Sequence, residues 1–112
     1  MKIKGNYLGE FEELILLSIA SLQDEAYGVS IMKDIIKATG RKSNVSAVHE
    51  VLRRLEQKGY LKSKMGGATN ERGGRRKRFF LLTSGGRKVL EENMKLKMQL
   101  YSRVPNFTFK PI

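Results

Sequence analysis

Between residues 8 and 22 the apolar side chains Leu8, Phe11, Leu14, Ile15, Ile19 and Leu22 recur at steps of three and four, the spacing of one helix face. Glu10, Glu12 and Glu13 fall in the first turn, where carboxylates complement the positive end of the helix dipole. A second stripe of Val29, Ile31, Met32, Ile35 and Ile36 predicts a helix over residues 28–39, which Gly40 can close in the left-handed conformation. A third helix follows Asn44, whose side-chain oxygen can accept the amide of Ala47. Its Val48, Val51, Leu52 and Leu55 repeat at i, i+3, i+4 and i+7 and face a core, and Gly59 supplies the stop.

The period then changes. Residues 60–65 and 79–83 are short, aromatic and apolar, as strands are, and between them lies GGATNERGGRRKR. Its glycines permit a hairpin loop longer than a two-residue turn. Thr83 caps a fourth helix reaching about residue 104. There Val89, Leu90, Met94, Leu96, Met98, Leu100, Tyr101 and Val104 cover more than one stripe, so a second surface is needed to bury them. Another copy of the chain is the simplest source, and Phe11, Val89, Met94, Met98, Leu100 and Tyr101 form the expected dimer surface. Methionines at helical spacing are also ordinary packing residues.

The predicted fold class is therefore mainly α with a small β-ribbon: a winged helix-turn-helix over residues 1–83, a C-terminal dimerisation helix over 84–104, and a tail over 105–112.

Charge gives that fold a direction. The net charge is +11, and it is unevenly placed: residues 1–40 carry four basic and six acidic side chains, whereas residues 41–90 carry fourteen basic and three acidic. Most surface charge runs are merely solvated. Here Arg72, Arg75, Arg76, Lys77 and Arg78 face Glu71 as the one nearby acid, a balance that suits a polyanion. On the third helix the face opposite the core holds Ser46, His49, Glu50, Arg53, Arg54 and Gln57. Two arginines can hold phosphate or guanine, Ser46 and Gln57 can read base edges, and His49 can do either or serve as a plain surface residue. Glu50 repels phosphate unless paired, and Arg53 or Arg54 is the expected partner. Asn44, Ser46, His49, Arg53 and Arg54 form the candidate recognition helix. The five cations at 72, 75, 76, 77 and 78 form the candidate wing.

Other classes find less support. With no cysteine and one histidine, the chain offers no disulfide, Cys-based zinc site or nucleophile and base pair, and no phosphate-binding loop of the Lys-Ser/Thr type. Neither a cofactor nor a metal is expected. No apolar run approaches the ~20 residues that span a bilayer, and a cytoplasmic, membrane-free protein is the expectation.

Several motifs, in order, carry a family resemblance. Leu8-Gly9-Glu10-Phe11-Glu12, Ala26-Tyr27-Gly28, Leu52-Arg53-Arg54-Leu55-Glu56-Gln57-Lys58-Gly59-Tyr60-Leu61, and the segment from Glu71 through Leu82-Thr83-Ser84-Gly85-Gly86 resemble the PadR-like bacterial transcriptional regulators over about residues 8–90. The resemblance implies a homodimer on a pseudo-palindromic operator, usually a repressor, with the terminal helix as dimer contact. The short C-terminus is similar to a subgroup in which some members bind planar hydrophobic molecules at the dimer centre. The expected partners are thus double-stranded DNA, a second copy and a small hydrophobic effector. Two positions depart from the pattern: His49 stands where the family commonly has tyrosine, and the tryptophan platform of drug-binding members is absent, since the chain has no Trp. A winged helix used for RNA or protein contact is the alternative, because this fold hosts both and an Arg-Gly-Gly triplet sits in the loop.

Overall fold

The computed structural model describes residues 7–66 and 76–105. Helices α1 (Glu10–Leu22), α2 (Gly28–Thr39) and α3 (Val45–Gln57) precede strands β1 (Leu61–Met65) and β2 (Arg78–Leu82), and α4 (Ser84–Ser102) follows. A 3-10 turn at Gln23–Glu25 joins α1 to α2.

The expected caps are in place. The Asn44 side chain accepts the Ala47 amide at 2.8 Å. Gly40 closes α2 at φ 72°, its N–H donating to the Ile36 carbonyl. Gly59, at φ 84°, ends α3 while the Tyr60 amide reaches back to the Leu55 carbonyl at 3.0 Å, a Schellman-type ending. Thr83 joins this end to the next helix: its hydroxyl donates to the Gly59 carbonyl at 2.6 Å and accepts the Gly86 amide at 3.0 Å. The start of α4 lies so close to the preceding turn that a Cβ on Gly86 would stand 2.0 Å from the Tyr60 carbonyl oxygen.

The strands pair antiparallel, Leu61 with Leu82 and Met65 with Arg78 at the ends of the ladder. A further pairing comes from the α2 approach: Tyr27 bridges Phe79, and the Phe80 amide donates to the Ala26 carbonyl at 2.9 Å. The base of the ribbon is thereby stitched to the start of α2. Ile15, Leu16 and Ile19 of α1, Ile31 and Ile35 of α2, and Val48, Val51, Leu52 and Leu55 of α3 meet in one core, closed below by Leu61, Phe80, Val89 and Leu90.

The first turn of α1 does more than complement a dipole. Glu12 and Glu13 are both buried, each aimed at a different helix. One Glu12 oxygen accepts the Gly9 amide at 2.9 Å, and the other accepts Lys58 Nζ at 3.1 Å with Arg54 at 3.9 Å. Glu13 is ion-paired with Lys97 of α4. Burial pushes the Glu12 carboxyl up, but the Gly9 amide, Lys58 and Arg54 together outweigh it and hold the pKa below the ordinary 4.5.

Candidate nucleic-acid interface

The burial of Val48, Val51, Leu52 and Leu55 fixes the rotation of α3, so that Ser46, His49, Glu50, Arg53 and Gln57 all lie exposed. Arg53 is held by Glu50 at 2.6 Å, one turn earlier. This is the intrahelical pair expected of Glu50, and because both partners are more than half exposed, phosphate can compete for the guanidinium at little cost. Arg54 is placed apart from Arg53: it turns toward Glu12 on α1, where Lys58 joins it. Asn44 spends its side-chain oxygen on the helix cap.

Of the wing cations, Arg72 and Arg75 lie outside the described residues. Arg76 is exposed. Lys77 folds back over the Tyr27 ring, its Nζ 4.4 Å from the ring centroid and 3.4 Å from the hydroxyl, while Tyr27 meets Phe79 edge-on with ring centres 5.6 Å apart. Arg78 donates to the Ser63 hydroxyl at 2.9 Å, and that hydroxyl donates in turn to Glu56 on α3 at 2.7 Å. A relay through Ser63 thus ties the wing base to α3.

Sequence reasoning about chemistry passed over Ser63, Glu56 and Tyr27. The alternation of β1 carried a signal for Ser63, since a small polar residue between Lys62 and Lys64 must face the opposite side from both. Tyr27, quoted above only for the motif it belongs to, is half-buried and faces the wing.

The proposed dimer residues divide. Met98 (66% exposed), Leu100 (49%) and Tyr101 (60%) lie on the surface of α4. Met94 is half-buried and, with Met98, Leu90 and the exposed Leu17 of α1, borders an apolar groove of about 580 Å³. Phe11 is half-buried, packed on its own core. Val89 is 3% exposed and belongs to the chain's own core, because α4 packs against both α1 and β2. Among the described residues no group of acids and histidine could hold a metal ion, and no helix is long and apolar enough to cross a membrane.

A helix-turn-helix followed by a two-stranded basic wing defines a DNA-binding transcriptional regulator of the winged-helix class. Residues 16–92 match the transcriptional regulator PadR-like family, and the chain belongs to that family. It resembles a PadR-like transcriptional regulator from Bacillus cereus (TM-score 0.71, 19% identity, 90% of this chain and 93% of that one). It also resembles a PadR family regulator from Eggerthella lenta (TM-score 0.66, 23% identity, 91% and 88%). A transcriptional regulator from Clostridium thermocellum is similar at 26% identity, with TM-score 0.65 over 88% of this chain and 92% of that one. No curated protein matches.

Proposed function

We propose that the chain is a cytoplasmic repressor that binds a pseudo-palindromic operator as a homodimer. The observation that carries this reading is the recognition face of α3, polar and cationic outside and fully apolar inside, joined through Glu56, Ser63 and Arg78 to a basic ribbon. In the complex Ser46, Arg53 and Gln57 read base edges in the major groove, and the wing cations, Arg72 and Arg75 included, meet the flanking phosphates. Two recognition helices then lie about 34 Å apart, one turn of duplex. The dimer forms over residues 84–104, where Met94, Met98, Leu100 and Tyr101 meet a second copy and the groove beside Leu17 is covered. A small hydrophobic effector that loosened this contact would release the operator by changing the spacing of the two helices.

The test is binding to the promoter fragment upstream of the protein's own gene, against a shuffled duplex and a matched single-stranded RNA, at about physiological salt. Preference for the promoter by about a thousandfold supports sequence-specific regulation. Equal and weak binding to all three leaves only electrostatic attraction, and preference for the RNA favours the alternative use of the fold.

A further inference from the structure

The His49 ring, on the recognition face of α3, sits against α2 at Gly28. A Cβ at position 28 would stand 2.6 Å from Nε2 and 2.7 Å from Cε1 of the imidazole, well inside van der Waals contact. Neither helix can slide to make room. Val48 and Leu52 hold α3 in the core at no more than 1% exposure, and Ile31 holds α2 at 0%. His49 as a residue is exposed, and its ring is the far end of a flexible side chain that can turn outward. A side chain at position 28 would therefore leave the fold in place and swing the imidazole away.

The next residue back, Tyr27, carries Lys77 over its ring and pairs with Phe79 of the wing. The dipeptide that opens α2, Tyr27 as its cap and Gly28 as its first residue, thus touches α3 on one side and the wing base on the other. We propose that Gly28 is a positioning residue for DNA recognition: its lack of a side chain seats the His49 imidazole against the first turn of α2, beside the point where Tyr27 holds Lys77. Seated there, the ring offers an N–H to a backbone phosphate, since imidazole has one donor when neutral and two when protonated. Recognition helix and wing then meet the DNA backbone as one surface of fixed shape. This inference rests on the DNA-binding reading above.

The experiment pairs Gly28→Ala with His49→Ala and reads two quantities. The first needs no DNA. His49 is the sole histidine, so its Cε1–H resonance is unambiguous; Gly28→Ala should move it, and Gly85→Ala should not. The second is promoter affinity. Gly28→Ala alone should weaken binding by about tenfold, the loss of a charge-assisted hydrogen bond, with thermal stability unchanged or raised. Added to His49→Ala, it should cost less than twofold more. An unmoved resonance, or the same loss in both backgrounds, would overturn the proposal. Should the unmodified protein prefer no duplex while the resonance still moves, the DNA-binding reading fails and the recognition role of Gly28 falls with it, while the seating of the ring stands.

Discussion

Lys58 Nζ donates to Glu12 Oε2 at 3.1 Å, so the C-terminal end of α3 is fastened to the first turn of α1. Glu12 is almost wholly shielded while Lys58 and Arg54 remain about half exposed, at 47% and 46%. The carboxylate therefore loses more by isolation than either cation does.

Glu12→Gln should lower stability by about 1 kcal/mol near neutral pH, since the amide keeps the Gly9 bond but gives up the charge that Lys58 and Arg54 answer. Folding depresses the Glu12 pKa below 4.5. The contribution is accordingly complete above that value and disappears as pH falls through the lower, folded one. Urea denaturation of both proteins at pH 7 and again near pH 3 should show the gap closing in acid. A gap of equal size at both pH values would mean that the ionised carboxylate contributes nothing.

Gly85 and Gly86 are neighbours in the first turn of α4 with opposite expectations. A methyl on Gly86 would meet the Tyr60 carbonyl oxygen at 2.0 Å, a backbone atom that cannot swing aside, whereas one on Gly85 would stay 3.7 Å from its nearest atoms. Gly86→Ala should cost about 2 kcal/mol or more, and Gly85→Ala should gain up to about 1 kcal/mol from helix propensity. Thermal melts of the two variants should move in opposite directions.

Arg53→Ala should relax sequence preference by about tenfold or more, the discrimination of a good base contact. Its pair with Glu50 is exposed, so the melting temperature should hardly change. Competition between the promoter and a shuffled duplex measures the first effect and calorimetry the second.

Replacing Arg75, Arg76 and Arg78 together by Ala should flatten the salt dependence of binding. Six phosphates released by two subunits correspond to about five units of the slope of log K against log salt. An unchanged slope would show that the wing stays clear of the DNA.

Met98→Asp places a charge on the rim of the groove between α1 and α4. Sedimentation should find monomers, with much weaker promoter binding because each half-site then binds alone. A variant that remains dimeric would remove this face from the proposed assembly.

The helices and their caps were legible because they rest on local chemistry. The periodicity of Val48 to Leu55 and the bond from Ala47 to Asn44 need no knowledge of the rest of the chain. The first-turn positions of Glu12 and Glu13 predict their role at the helix dipole but not their burial, because their partners Lys58 and Lys97 lie 46 and 84 residues away. The predicted stripe omits Leu16 and Leu17. Four consecutive apolar residues from Leu14 to Leu17 cover more than one face, which allows Leu16 to enter the core while Leu17 points outward to the groove. The pairing of Tyr27 with Phe79 gave no sequence signal, since a single bridge is too short to show alternation. The same holds for His49, whose seat is made by the absence of a side chain on another helix.

Two adjacent carboxylates in α1 therefore answer to two different parts of the molecule, Glu12 to the helix proposed to face DNA and Glu13 to the helix that carries the proposed contact between copies. In a twofold assembly such a pair works like the fixed axle between two wheels. The gauge between the reading helices would be set at the first turn of α1, and any tilt of α4 would be passed across it to the DNA within a single helical turn.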